Sequence, residues 1–487
     1  TPDVPETIIE ANPPPGRSSR STAAAQRLLT ILIDTALQGL VGANAPQLLH
    51  GAAWRPPRIT EDDASEAAEP FKRLYYQFQI LTHGDKVGAA AGDHISFSAP
   101  WFGYSSKPEI TRKMVEMTGR MRLMGCAMSI ALSASSPLFF GMSQDNGEPT
   151  YRTTLTPWES ARLGHVWPGR TIMDVSGLFQ DPVSFRRTMD RFAATGTLLS
   201  GRDVWLVARA QPGHFKEETS FVDLCTHLRL DLNKEEDHRE ARSLLFACFR
   251  QGPRQRTHPE SRPREMEKWR QQKLHNLIRA PRNRVEIRTL ETPPFFPGND
   301  GGAARTPYQY VKAYHSFLEA LFIYLSETPP LVEDLEYHEL DLQAAKANEQ
   351  AVLLAGLDAH IRYIPWDMQS MTARESLQIL LDEMSGVIDE LRLTEDLSPL
   401  NRAIEGKDLT PAARIRGEVA EWYGIDVALR HNMQHLPDDN YPRSVLRRSR
   451  QGMDVELAQI EADLPTLPQL DRPLIQDLLR LIERLRR

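Results

Sequence analysis

The segment that most constrains the fold is 285–289, VEIRT, where apolar and charged residues alternate. Because successive side chains on a strand point to opposite faces, this pattern predicts a β-strand that the proline-rich segment after it ends. Glu286 and Arg288 would share one face, and Val285 and Ile287 the other. Such a pair indicates either a solvent-facing sheet with a weak ion pair, or a site where the carboxylate holds a metal ion and the guanidinium a phosphate.

The composition is that of a water-soluble globular protein. Of the 487 residues, 41% are hydrophobic and 25% are charged, and the formal net charge is −7. The negative charge disfavours binding of the whole surface to nucleic acid or to an anionic membrane, and no apolar run approaches the roughly 20 residues of a membrane span. The N-terminal segment lacks the basic and apolar regions of a signal peptide. The three cysteines lie far apart, which argues against a disulfide framework and predicts a cytoplasmic location.

Polar-faced strands alternate with helices as far as about residue 300, and a mostly helical region follows. The sequence predicts strands at 91–104, 203–209 and 285–289, and helices at 22–44, at 108–132, from Pro307 and over most of 340–487. This order indicates an α+β fold with an antiparallel β-sheet rather than βαβ units. We expect a core at 1–335 with a charged, mostly helical insertion at about 214–280, and a helical C-terminal region at 336–487.

The common catalytic and nucleotide-binding motifs do not occur in the sequence. There is no GxxxxGK[ST] loop and no GxGxxG after a predicted strand, so a nucleotide would not be held by either of these Gly-rich loops. The HExxH and GxSxG motifs are also absent.

Carboxylate, imidazole and guanidinium groups lie on three of the strand-like segments, opposite the apolar residues. They are Asp3, Glu6 and Glu10 in the first, His94 with Ser96 and Ser98 in the second, and Glu286 with Arg288 in the third. Carboxylates that converge from several strands provide the oxygen ligands that Mg²⁺ or Mn²⁺ requires, and an adjacent arginine can bind a phosphate oxygen. Each group alone has a simpler interpretation, since a single histidine is more often structural and a solvent-facing sheet is polar on one side.

Five segments resemble motifs of glutamate–cysteine ligases and of related carboxylate–amine ligases, in the order that the family has them. They are DVPETIIEANPP at 3–14, GDHISFS at 92–98, LSASSPLFFG at 132–141 with YRT at 151–153, VEIRTLETPPF at 285–295 and NEQAVLLAGLDA at 348–359. An ordered set of this kind, spanning about residues 1–430, is much more specific than any one of its members.

The resemblance implies a glutamine-synthetase-like fold, in which an antiparallel sheet forms a trough flanked by helices. It implies an ATP-dependent ligase that uses Mg²⁺ or Mn²⁺ to phosphorylate a glutamate-like carboxylate and then joins the acyl phosphate to an amine, with 1–335 as the catalytic core. By resemblance, the metal ligands are Asp3, Glu10, His94 and Glu286, the nucleotide contacts are His94, Ser96, Arg209 and Arg288, and the catalytic groups are Glu286, Arg288 and Arg152. Arg288 would bind the γ-phosphate, and the arginines at 152 and 209 would hold substrate carboxylate or phosphate.

Some features depart from the family pattern and leave alternatives open. The family has a Glu-x-Glu strand ahead of the segment that corresponds to Asp3, and this sequence does not contain it; Ser96 replaces an Asn, and Ala355 replaces an Arg. A second hypothesis is therefore a non-catalytic nucleotide-binding relative, or one subunit of a split ligase in which a partner chain supplies that strand. A phosphotransferase of the same fold, such as a guanidino kinase, is a third.

The second half of the insertion at about 214–280 is rich in arginine. We interpret it as a solvated arm or a contact in a homo-oligomer, with a surface for a polyanion such as tRNA as the alternative.

Overall fold

The protein is described by a computed structural model over most of its helical part and over the strands that carry the candidate site. The described residues are 2–3, 8–9, 13, 16–41, 52–54, 93–97, 107–145, 148–166, 229–231, 233–237, 254–256, 284–298, 304–327, 339–363, 369–425 and 433–487. Glu10 and the predicted strand at 203–209, with Arg209, lie outside these ranges.

Short strands and longer helices follow one another along the chain. The strands are β1 (Pro2–Asp3), β2 (Ile8–Ile9), β3 (Ala52–Trp54), β4 (Asp93–Phe97), β5 (Leu138–Asp145), β6 (Glu148–Leu155), β7 (Arg254–Arg256), β8 (Arg284–Leu290), β9 (His360–Tyr363), β10 (Gln369–Thr372) and β11 (Gln434–His435). The helices are α1 (Ser19–Val41), α2 (Lys107–Ser133), α3 (Pro307–Glu327), α4 (Glu339–Ala355), α5 (Ala373–Glu383), α6 (Ser385–Glu390), α7 (Ser398–Ile404), α8 (Pro411–Tyr423), α9 (Asn440–Asp463) and α10 (Arg472–Arg486). The predicted α+β class is confirmed.

The described strands form separate small sheets, and nearly all neighbours are antiparallel. One sheet has the order β11-β6-β5-β3, in which β3 and β5 are parallel, and another has the order β4-β8-β7. Antiparallel pairing of the polar strands is thus as predicted, whereas one continuous trough is not formed by the described strands.

One sequence prediction about strands was wrong. The segment with Asp3 is not a single strand, because β1 pairs antiparallel with β2, so that Asp3 lies opposite Ile8. Within the insertion at about 214–280, which the sequence predicts to be mostly helical, the short strand β7 pairs with β8. A three-residue strand of sequence RQR has no alternation of apolar and polar residues, so its partner strand decides its conformation.

Helices α2 and α3 form the centre of the main core. An apolar stripe on α3 is buried throughout: Tyr310, Tyr314, Phe317, Leu318, Leu321 and Leu325. The Met-rich helix α2 packs against it, and a Cβ placed on Gly125 would lie 3.3 Å from Cδ2 of Leu321. The two helices therefore approach too closely for a larger side chain at 125 without a shift of Leu321.

A second core joins the N-terminal helix α1 to α3, α9 and α10. The buried guanidinium of Arg27 donates to both carboxylate oxygens of Glu456, with distances of 2.6 Å and 3.2 Å, across 429 residues of sequence. Asp471 precedes α10 and accepts a hydrogen bond from the backbone N–H of Arg17 at 2.9 Å. On α10 the apolar residues are only partly buried, because Leu481 and Leu485 are exposed while Ile475 and Ile482 face the core.

None of the helices in the described ranges is long and apolar enough to cross a membrane.

The carboxyl of Asp34, on α1, gives a prediction for the pH dependence of stability. Burial raises its pKa above the usual value, although Arg450 and the hydrogen bond from Gln38 oppose this. A raised pKa in the folded state costs stability once the carboxyl ionises and costs nothing below the aspartate pKa of the unfolded chain. We therefore expect Asp34→Asn to increase the free energy of unfolding at pH 7, and the gain to disappear as the pH falls below about 3.9.

Urea unfolding of both proteins across this pH range measures the effect. Asp382, an exposed aspartate that also bonds a glutamine four residues away on its helix, is the matched control, and Asp382→Asn should show no such gain. A gain of equal size at both sites would contradict the burial argument.

Candidate active site

The sheet β4-β8-β7 brings together segments that lie far apart in the sequence. In the β4–β8 pair, Ser96 lies opposite Glu286, and in the β7–β8 pair Arg254 lies opposite the same Glu286. On β4, His94 and Ser96 are exposed, whereas Asp93 and Ile95 are buried. The alternation that the sequence predicts for this strand is therefore present, and its polar positions lie beside those of β8.

A β-bulge interrupts the pairing of β4 with β8. Asp93 pairs with Leu290 and Ile95 with Ile287, so the single residue His94 lies opposite two residues of β8, Arg288 and Thr289. A bulge bends its strand and changes the direction of nearby side chains, and bulges are common beside active sites. His94 and Arg288, both predicted site residues, thus lie at the one irregular point of this pairing.

Directly after the bulge, the buried carboxylate of Glu291 binds the serine-rich turn that follows α2. Its oxygens accept hydrogen bonds from the backbone N–H of Ser135 at 2.7 Å and from the hydroxyls of Ser136 and Ser160 at 2.8 Å and 2.5 Å. A fourth hydrogen bond comes from Nε of Arg162 at 3.0 Å. Two of the segments that resemble ligase motifs, at 132–141 and 285–295, therefore meet at this carboxylate.

Arg162 also reaches the backbone of the bulge. Its Nη2 donates to the carbonyl oxygens of Thr289 and Leu290 at 3.2 Å and 3.0 Å. From α2, the hydroxyl of Ser129 shares a hydrogen bond of 2.6 Å with the hydroxyl of Thr289. Two side chains, those of Arg162 and Ser129, therefore hold the bulge through three buried hydrogen bonds.

A buried ionisable pair lies under β4. Oδ2 of Asp93 is 3.4 Å from Nε2 of His315 on α3, and both side chains are fully shielded from solvent. Neither side chain makes a hydrogen bond among the described residues, and the same is true of the Tyr314 hydroxyl. Burial raises the pKa of Tyr314 well above its usual value, with further contributions from Tyr310, Glu291 and Asp93, so this phenol is neutral.

The remaining predicted site residues are not all brought to this sheet. Arg152 lies on β6, opposite Gly141 of β5, in the other large sheet, where it is half-buried. Asp3 belongs to the β1–β2 pair, and Glu10 and Arg209 lie outside the described residues. Their roles stay predictions, whereas His94, Ser96, Glu286 and Arg288 occupy adjacent positions on two paired strands.

The sequence did not identify Asp93, Glu291, Arg162 and His315 as important. A signal for His315 was available, because a histidine inside the apolar helix α3 must find a polar partner when it is buried. Glu291 and Ser136 lie within the segments 285–295 and 132–141 that resemble ligase motifs, but nothing in either segment indicates that they bind each other.

Comparison with known proteins supports the fold at low sequence identity. No protein family matches the sequence, and no curated protein matches it. Among solved structures, a glutamate–cysteine ligase from Francisella tularensis, in complex with AMP, aligns over 96% of this chain and 80% of its own, with 14% identity and a TM-score of 0.53. The chain has a glutamate–cysteine ligase-like fold. At this identity the likeness is one of fold, and it extends over nearly the whole chain, including the helical C-terminal part.

The buried pair of Asp93 and His315 gives a prediction about stability. His315→Leu leaves the Asp93 carboxylate buried without its partner, and such a change costs about 3–5 kcal/mol. Adding Asp93→Asn removes the stranded charge, so we expect the double variant to recover part of that loss. Urea unfolding of the four proteins of this cycle measures both effects.

His435→Leu serves as the control, because His435 is exposed. The one hydrogen bond described for its ring joins Nδ1 to the Thr154 hydroxyl at 2.9 Å. We expect a loss of about 1 kcal/mol or less there. A similarly small loss for His315→Leu would show that no buried charge is left behind.

Proposed function

We propose that this protein is an ATP-dependent carboxylate–amine ligase of the γ-glutamyl type, which forms an amide bond through an acyl phosphate with the help of a divalent metal ion. The observation that carries the proposal is the β4–β8 pairing, in which Ser96 lies opposite Glu286 and His94 lies opposite the bulge at Arg288. These positions come from the segments GDHISFS and VEIRTLETPPF, whose motifs resemble those of the ligases.

The fold likeness supports the same proposal. The solved glutamate–cysteine ligase is described in complex with AMP, and we extend nucleotide binding to this chain. The nucleotide contacts that we propose are His94, Ser96, Arg209 and Arg288. The exposure of His94 and Ser96 is consistent with this role, because a nucleotide must reach them from solvent.

Mg²⁺ or Mn²⁺ suits the proposed ligands by its chemistry. Asp3, Glu10 and Glu286 offer carboxylate oxygens, which hard cations prefer, and His94 offers a nitrogen that Mn²⁺ accepts more readily than Mg²⁺ does. Within the described ranges there is no group of three acidic, histidine or cysteine side chains placed to hold a metal, and Glu10 lies outside those ranges. The bound ion would neutralise charge on the phosphate oxygens.

The protein's own residues act mainly by binding and orienting. A carboxylate is a poor acyl donor, and transfer of the γ-phosphoryl group to it provides a leaving group that an amine can displace. Arg288 would bind the phosphoryl oxygens, while Arg152 and Arg209 would hold substrate carboxylate or phosphate. Fixed positive charge of this kind favours the transition state, in which new negative charge develops, more than the ground state.

This proposal predicts that the protein binds ATP only together with a divalent metal ion. Isothermal calorimetry with Mg²⁺, and again with a chelator, should give measurable affinity only in the first case. Absence of binding in both, or equal affinity in both, would contradict the proposal. If binding is found but no carboxylate and amine pair releases ADP, the non-catalytic nucleotide-binding alternative is favoured.

A further prediction of the proposal concerns the guanidinium of Arg288. Arg288→Lys keeps the positive charge but loses the planar fork that binds two oxygens, so we expect kcat to fall about 10²-fold or more with little change in melting temperature. Arg284→Lys is the matched control on the same strand, at a position opposite Arg256 and away from the bulge. It should retain activity. Full activity of the Arg288 variant would show that this residue does not contact the phosphoryl group.

A further inference from the structure

The bulge of β8 carries backbone groups that need partners away from water. Thr289 and Leu290 are buried, with exposed fractions of 2% and 1%. A bulge takes residues out of the regular hydrogen-bond ladder, and a buried carbonyl left without a donor costs about 1–3 kcal/mol. Arg162 provides donors for both carbonyls from a single nitrogen, Nη2.

Glu291 fixes the position of Arg162. The two side chains are 4% and 6% exposed, and Nε of the arginine lies 3.0 Å from Oε1 of the glutamate. The hydroxyls of Ser136 and Ser160 bind the same oxygen, so the carboxylate cannot turn without breaking several hydrogen bonds. A guanidinium held in this way is a rigid support, because its donors have a fixed planar arrangement.

We infer that Arg162 and Glu291 form a buried brace that sets the geometry of the bulge and thereby positions Arg288 opposite His94. Neither residue is proposed to touch substrate, so both are positioning residues. The existence of the brace follows from its contacts alone, whereas its effect on turnover rests on the proposed function.

The chain contains a matched control for the brace. Nε of Arg416 lies 3.0 Å from Oε1 of Glu159, the two side chains are 4% and 6% exposed, and Arg416 also donates to the carbonyl of Trp158. The ion-pair distance and burial equal those of the Arg162 pair, but the contacts described for Arg416 do not include β8. The lysine variants Arg162→Lys and Arg416→Lys should therefore lose similar amounts of unfolding free energy.

Only Arg162→Lys should change the bulge. We expect faster amide hydrogen exchange in β4 and at 287–290 in this variant, measured by mass spectrometry on the full chain, and no such change in Arg416→Lys. With ATP, Mg²⁺ and a working substrate pair, kcat should fall towards the roughly 10²-fold loss that misplacement by about 1 Å produces, and KM for ATP should change less.

A smaller change keeps the inference testable if Arg162→Lys does not fold. Ser136→Ala removes a hydroxyl that fixes the Glu291 carboxylate, and Ser133→Ala, three residues earlier at the end of α2, removes a buried hydroxyl that bonds only the carbonyl of Ser129 among its described contacts. Exchange at the bulge should rise in the first variant and stay unchanged in the second.

The outcomes separate the brace from the proposed function. Equal exchange at the bulge in Arg162→Lys and Arg416→Lys overturns the brace, whether or not the protein binds ATP. If exchange at the bulge is faster in Arg162→Lys but its kcat and KM equal those of Arg416→Lys, the positioning role is overturned. If the wild-type protein does not bind ATP with Mg²⁺, the proposed function fails, and the exchange experiment still decides whether the brace exists.

Discussion

The carboxylate of Glu291 is the contact on which the architecture around the candidate site depends. It lies where β8 ends, and four donors converge on it from the serine-rich turn after α2, from Ser160 and from Arg162. Because the residue is only 5% exposed, water cannot replace a lost donor easily. The end of helix α2, strand β8 and the short π-helix Arg162–Val166 therefore hold one another in place through a single side chain.

Helices and isolated strands were predictable because their signals are local. The apolar stripe of α3 and the alternation on β4 follow from spacing alone, and both are present in the structure. The pairing of β4 with β8 could be expected only from the order of motifs, since no residue in either strand specifies its neighbour. The strand β7 was missed because three residues, RQR, in an arginine-rich segment carry no periodic signal.

The supporting contacts of the candidate site were not predictable for a different reason. Arg162 and Glu291 are 129 residues apart, and each is of a residue type that is usually found on the surface. Their meeting depends on the path of the backbone and on an extra residue in β8 opposite His94, which no sequence pattern encodes. His315 could be recognised as a residue in need of a partner, but the identity of that partner, Asp93, depends on tertiary packing.

The packing of α1 affects how the chain folds during translation. Its partners are α3, α9 and α10, and the Arg27–Glu456 contact closes only after 429 further residues have been made. At about 5–20 residues per second, the part of α1 that α9 and α10 cover waits for tens of seconds before these helices leave the ribosome. Such a delay leaves apolar surface of α1 open to other nascent chains, so efficient production should depend on chaperones that bind early and release late.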